Sequence, residues 1–180
     1  MTFDFQPSLF DGALTLAPMI EADFDGLYAA AKDPEVWALH QVPTRYKRAE
    51  FRPYITGMIA TKRALTLRGE AGRIIGCSAY YQAEDAPDGI AVGYTFLALD
   101  TWGGATNFAL KRMMLDHAFQ SFDEVGFHIA PGNIRSQKAT AKLGAKRIGS
   151  AILNLGGTPA DWVQFRLSRA DWQAVKSARN

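Results

Sequence analysis

The chain has 180 residues, 48% of them hydrophobic and 12% aromatic, an ordinary composition for a globular domain with a real core. Its 20 basic and 18 acidic residues leave a net charge of +2, too small to point to nucleic acid or an acidic membrane as partner. The lone Cys77 excludes an intramolecular disulfide and a cysteine-based metal cage, no apolar run reaches the roughly 18 residues that span a bilayer, and no secretory leader is visible. The expected compartment is the cytoplasm.

The segment 14–19, LTLAPM, alternates as a first strand, and Asp23 is placed to cap a helix through Phe24, Leu27, Tyr28 and Ala31. Asp33 and Pro34 pair as cap and first residue of a short helix that carries Val36, Trp37 and Leu39 until Pro43 ends it. A third helix is predicted around 49–62, where Phe51, Tyr54, Ile55, Met58 and Ile59 recur at helical spacing and Pro53 is tolerable only in the first turn. Strands at 64–68, 74–81 and 91–98, separated by EAGR and AEDAPDG, read as an antiparallel meander. A helix from about 107 to 121 presents Leu110, Met113, Met114, Ala118 and Phe122 on one side, followed by a strand at 125–130 and a helix at 136–143 closed by Gly144. The strands RIGSAILNL and WVQFRLS are joined by GGTPAD, and DWQAVK closes the chain. No repeat or linker divides it, so 1–180 reads as a single domain, monomeric or homodimeric.

Residues 91–119 therefore place a buried strand, a turn with Gly103 and Gly104, and a helix in succession. Glycine lets the backbone approach a ligand, and the unpaired amides of a helix start carry the positive end of its dipole, so this order is a ready anion site. Alone it is only moderately specific, because strand-to-helix turns also carry glycine for steric reasons. With the second motif, NIRSQKATAKLGAKRIG after VGFHIAPG, the segment VGYTFLALDTWGGATNFALKRMMLDHAF resembles the GNAT-type N-acetyltransferases, in the branch of the ribosomal-protein N-terminal acetyltransferases. The opening TLAPMIEADFDGLYAAAKDPEVW fits the same branch, so the resemblance spans roughly 13–172.

The resemblance implies an α+β fold, with a central, mostly antiparallel sheet that has one splayed parallel strand pair at the cofactor and is flanked by helices. It implies acetyl-CoA as acyl donor, no metal, and direct attack of a primary amine on the thioester. Phe96, Leu97 and Ala98 would meet the pantetheine arm, and Trp102, Gly103, Gly104, Ala105, Thr106 and Asn107 the phosphates. The family turn usually has Gln or Arg first and Gly fourth, where this chain has Trp102 and Ala105. A methyl at a position of positive φ would be strained, whereas helical backbone there costs nothing.

Asn133 is placed to hydrogen-bond the pantetheine or the incoming amine, and equally to cap the next helix. Many family members carry an acidic Tyr in that helix; SQKATAKLG has none, which leaves Ser136 as the candidate acid. The branch often carries Glu just before Val-Gly-Tyr, where this chain has Ala91. Among the histidines, His117 reads as structural or exposed, His128 as a satisfied core residue, and His40, in the helical region that walls the acceptor pocket in this family, as the candidate base. Asp85 and Asp88 read as a solvated turn. Some of Arg135, Lys138, Lys142, Lys146 and Arg147 would meet the 3′-phosphate and most would form a solvated face. Trp37, Tyr46, Tyr54 and Tyr80 would line the acceptor pocket or the core.

The resemblance implies a small-molecule amine or a protein N-terminus as the acceptor. The rival reading, which the missing Glu and Tyr favour, is a catalytically weak CoA-binding or interaction domain. A Rossmann-type nucleotide site is disfavoured because GGATN is no GxGxxG and strands do not alternate with helices.

Overall fold

The computed structural model describes residues 3–179. Its strands are β1 (Leu9–Asp11), β2 (Leu14–Pro18), β3 (Ala64–Arg68), β4 (Ile74–Ala83), β5 (Ala86–Leu97), β6 (Glu124–Ile129), β7 (Lys146–Leu153) and β8 (Ala160–Ser168). Its helices are α1 (Phe24–Ala31), α2 (Pro34–Trp37), α3 (Arg48–Ala60), α4 (Thr106–Ala118), α5 (Ile134–Ala141) and α6 (Arg169–Ser177). The strands are hydrogen-bonded in the order β1-β2-β3-β4-β5-β6-β8-β7. β5 and β6 are the parallel pair, registered through Ile90 with Val125 and Ala91 with Gly126, and β8 returns antiparallel between β6 and β7. This is the α+β architecture expected, with a mostly antiparallel sheet, one parallel pair and flanking helices.

The chain packs as two compact units, one of 3–80 with Tyr94–Met114 and one of Tyr81–Gly93 with 115–179. In the first, the apolar periodicity of α1 and α3 buries Phe24, Leu27, Phe51 and Ile55 against Trp37, Cys77 and Phe96, each large side chain contributing about 1.5–3 kcal/mol of transfer free energy. Lys111 lies on the buried face of α4, three residues before Met114 and seven before Ala118. In the second, Val125, Phe127, Val163, Phe165 and Leu167 fill the inner faces of β6 and β8, and Trp172 of α6 is fully buried with its indole N–H 2.7 Å from Asp116.

Several boundaries differ from the sequence reading for identifiable reasons. Asp23 does not cap α1 through its side chain; a 3-10 turn at Glu21–Asp23 precedes the helix. The buried carboxylate accepts instead from the Ile20 amide (3.2 Å), from Thr66 Oγ1 (2.7 Å) and from Arg68. Asp33 does cap α2, accepting from the Glu35 amide at 2.9 Å, but that helix stops at Trp37, well short of Pro43. Pro53 lies beyond the first turn of α3; the carbonyl whose partner it removes belongs to exposed Ala49. α5 starts at Ile134, two residues early, because Asn133 caps it. β5 begins at Ala86, so most of the stretch read as a loop is strand and the turn shrinks to Glu84–Asp85. Gln82 secures it by donating to the Pro87 carbonyl at 2.8 Å. Within β5, Tyr94 has φ +51, a left-handed conformation costly for a bulky residue.

Candidate functional site

In the first unit, the end of β5 and the turn after it are locked together. The Trp102 indole N–H donates to the Leu97 carbonyl at 3.0 Å, Thr101 donates to the Ala98 carbonyl through its amide (2.9 Å) and hydroxyl (2.7 Å), and the Ala98 amide donates to Ile75 at 2.8 Å. Of the strand groups expected to meet a pantetheine arm, the Leu97 and Ala98 carbonyls thus hold the turn itself, and the Ala98 amide is taken by Ile75 of β4. Gly103 takes φ +76, the conformation that requires glycine, and a Cβ on either Gly103 or Gly104 would meet nothing within 4 Å. The turn faces open space. Ala105 lies outside the left-handed region and its carbonyl already accepts the Ala109 amide at 2.9 Å, so alanine costs nothing there. Thr106 and Asn107 follow as the first residues of α4, whose opening amides have no intrahelical acceptor.

Behind this turn, α4 buries Lys111. Its ammonium nitrogen lies 2.7 Å from Thr95 Oγ1 and 3.4 Å from Ser78 Oγ, and the two hydroxyls are 2.7 Å apart. Burial brings the amine down to about 7. Neighbouring Cys77 is fully buried, donates to the Tyr94 carbonyl at 3.5 Å, and has its thiol pushed up to about 12 by burial. Such a thiol is no nucleophile at neutral pH.

The helical wall holds His40. The Val42 amide donates to its Nδ1 at 3.1 Å, which places the proton of the neutral ring on Nε2, and Arg45 Nη1 lies 3.3 Å from both ring nitrogens. Burial and then Arg45 lower it to about 4. The ring is neutral at pH 7, but its lone pair is engaged and weakly basic. Arg45 stacks 4.0 Å from the Tyr54 ring centroid. Trp37 and Tyr80 belong to the core, their polar atoms satisfied by the carbonyls of Ala31 (2.7 Å) and Met114 (2.8 Å). Tyr46 packs partly buried against the same cluster as Tyr54.

In the second unit, Asn133 Oδ1 accepts the Ser136 amide at 3.1 Å, so the carboxamide oxygen is a helix cap and the amide nitrogen is the half left to donate elsewhere. Lys146 leaves the basic run to pair with Asp171 at 2.9 Å. His117 is half-buried in the last turn of α4.

Sequence reasoning overlooked a polar cluster on β4, β6 and β8. His128 Nδ1 lies 2.7 Å from the Tyr81 hydroxyl, and Nε2 lies 3.1 Å from both Asp85 oxygens. Asp85 also accepts from Gln164 at 2.7 Å and from Arg166. Asp85 sits in the exposed Glu84–Asp85 turn, but its carboxylate is turned onto these partners and its side chain is 15% exposed. Burial would raise Asp85, but its hydrogen bonds from His128, Arg166 and Gln164 take it down to about 2. The visible signal was Asp85 in the turn after Tyr81; nothing local announced that β6 would bring His128 to both.

The family model described as Acetyltransferase (GNAT) domain matches residues 13–146. The chain belongs to this family. No curated protein matches it by sequence. Among solved structures, it is similar to a GCN5-related N-acetyltransferase from Brucella melitensis, with 18% identity and a TM-score of 0.77 over 96% of this chain and 83% of that one. It is also similar to a GNAT-family acetyltransferase from Bacillus anthracis, with 11% identity and a TM-score of 0.70 over 90% of this chain and 98% of the other. Mycobacterium smegmatis RimJ, solved in complex with CoA-disulfide, aligns at 17% identity and a TM-score of 0.69 over 97% and 94% of the two chains. At these identities the likeness shows the fold.

Proposed function

We propose that this GNAT-family protein is an acetyl-CoA-dependent N-acetyltransferase that works in the cytoplasm on a primary amine, either a small molecule or a protein N-terminus. The observation that carries the reading is the open turn at the start of α4, where Gly103 needs its positive φ and neither glycine has anything within 4 Å. Backbone amides there can reach a pyrophosphate with the helix dipole behind them. The RimJ complex with CoA-disulfide supports a CoA ligand on this fold. The pantetheine arm would run along Phe96 to Ala98. Asn133 would orient the pantetheine or the amine, and Ser136 would protonate the departing thiolate. The inert Cys77 favours direct attack without a covalent enzyme intermediate.

The test is calorimetry with CoA on the wild type and Gly104→Val, with thiol release from acetyl-CoA over a pool of amines as the second readout. A branched side chain both fills the approach and restricts the backbone, so affinity is expected to fall about tenfold or more, equivalent to about 1.4 kcal/mol. Unchanged affinity rules this turn out. Ala91 keeps one other reading open, a CoA-binding module without a base; that protein would bind CoA and release no thiol at any pH.

A further inference from the structure

Arg45 lies in the turn between α2 and α3, its guanidinium set in a corner of aromatic rings. The central carbon is 4.0 Å from the Tyr54 ring centroid and 5.3 Å from that of Trp37, and these two rings cross at 85°. His40 is the third wall: Arg45 Nη1 is 3.3 Å from both ring nitrogens, and a nitrogen equidistant from the two is aligned with neither lone pair. Contacts with rings engage the charge and leave the N–H donors unspent. The turn itself is fastened, the Lys47 amide donating to the Thr44 carbonyl at 2.9 Å and the Thr44 hydroxyl to Glu50.

A guanidinium has five N–H donors. Among the described residues, no oxygen accepts from the Arg45 side chain and no carboxylate pairs with it. Two neighbours make the contrast. Arg48 and Arg52 also lie over a ring, 4.8 and 3.7 Å from the Phe24 centroid, yet each has a carboxylate, Asp25 at 2.6 Å and Glu21 at 3.0 Å. Glu50, whose field Arg45 feels, accepts from Thr44 instead. No buried side-chain nitrogen or oxygen among the described residues lacks a partner, so the partnerless Nε and Nη2 of Arg45 reach the surface. These two share one edge of the planar group, the fork that grips a carboxylate through two parallel hydrogen bonds. Burial pulls the Arg45 pKa below its ordinary value, with Tyr54 and Glu50 opposing. A charge drawn partly out of water carries a cost that an incoming carboxylate offsets.

The corner adjoins the end of β5 within the first unit. Trp37, 2% exposed, has its ring 5.4 Å from that of Phe96, where the strand segment proposed to carry the pantetheine arm begins. We infer that Arg45 selects the acceptor: its Nε–Nη2 edge binds a carboxylate carried by the amine substrate, on a small molecule or in the first residues of a protein. The inference rests on the N-acetyltransferase reading. Arg45 touches the acid group of the substrate and moves no proton; the rings of Trp37, Tyr54 and His40 position the fork.

The experiment follows thiol release from acetyl-CoA with two matched acceptor pairs for the wild type, Arg45→Met and Arg45→Lys. One pair is the tripeptide amides Ala-Asp-Ala and Ala-Asn-Ala; the other is β-alanine and its amide, with kcat/KM referred to the neutral amine throughout. In at least one arm the wild type is expected to favour the carboxylate member by about tenfold or more, the worth of a charge-assisted pair of hydrogen bonds. Preference among the peptides alone makes the acceptor an acidic protein N-terminus, preference in the other pair alone makes it a small amino acid, and either supports the fork. Arg45→Met should bring the ratio to about one, and Arg45→Lys, which keeps the charge without the fork, to a value in between. Each ratio is read within one protein, so partial unfolding of a variant cancels. A wild type that releases thiol at a ratio near one in both arms, or either variant with the full wild-type ratio, overturns the fork alone. No thiol release by the wild type with any amine overturns the acetyltransferase reading and the acceptor fork with it.

Discussion

Lys111 in the first unit and His128 in the second are both buried nitrogen bases, yet they are accommodated in opposite ways. Among the described residues Lys111 donates to two hydroxyls, those of Thr95 and Ser78, and pairs with no carboxylate. Hydroxyls satisfy hydrogen bonds but cannot balance a charge, so burial wins and the amine drops to about 7. His128 meets Asp85, whose hydrogen bond and charge oppose the burial. The carboxylate is what changes a passive buried base into one that can accept a proton and hold it. The first arrangement costs stability when protonated; the second gives an imidazolium a counter-charge.

The most severe way to break the comparison is to take Asp85 away. Asp85→Ala leaves His128 without its carboxylate and Arg166, 12% exposed at its side chain, with the more exposed Glu124 at 3.4 Å as its counter-charge. Removing one partner of a buried pair typically costs about 3–5 kcal/mol, and urea unfolding at pH 7 is expected to show a loss of that order. The same carboxylate carries an acid signature. Its folded pKa of about 2 lies below the usual 3.8, so its contribution is complete above 3.8 and is lost as pH falls through about 2. The Asp85→Ala variant should lack that part of the acid dependence.

For Lys111 the sign is reversed. The unfolded amine titrates near 10.5 and the folded one near 7, so between these values the unfolded chain binds more protons and stability rises with pH. The slope approaches about 1.4 kcal/mol per pH unit for this one group. Lys111→Met keeps the volume and lets Ser78 and Thr95 satisfy each other at 2.7 Å. The variant is expected to be the more stable near pH 7, with the difference from wild type shrinking as pH climbs toward 10.5. A pH-independent difference would show that Lys111 stays charged in the fold.

Both bases also mark where sequence reasoning reached its limit. The helix, strand and turn pattern was legible from apolar periodicity and from Gly, Pro and Asp punctuation, and so was the cofactor turn, because Trp102–Asn107 is contiguous. Lys111 was not singled out, although its spacing from Met114 and Ala118 puts it on the apolar stripe and was a usable signal. The Tyr81–His128–Asp85 cluster had no such signal. It is assembled by the parallel placement of β6 beside β5 and the return of β8, which bring residues more than forty apart in sequence into hydrogen bonds. Asp23 failed for a related reason: local logic offered a helix cap, and tertiary structure supplied Thr66 and Arg68 instead.

His40 supplies the smallest and sharpest refinement, since it is a buried imidazole like His128 but has a cation for a neighbour where His128 has a carboxylate. Burial, then Arg45, hold it to about 4 against the usual 6.5. Folding is therefore expected to gain stability as pH rises from about 4 to 6.5 and to level off above, because the unfolded chain binds the extra proton in that window. His40→Asn retains an acceptor for the Val42 amide, now 3.1 Å from Nδ1, while removing the titration. Denaturant curves for the two proteins should therefore separate as the pH drops through this window, the wild type losing stability that the variant keeps, and their difference should be constant above it, the total change reflecting a shift smaller than that of Lys111. A parallel pair of curves would mean that His40 titrates normally. If, in addition, the asparagine variant lost an acidic limb that the wild type shows in acetyl transfer, the proton acceptor would be His40.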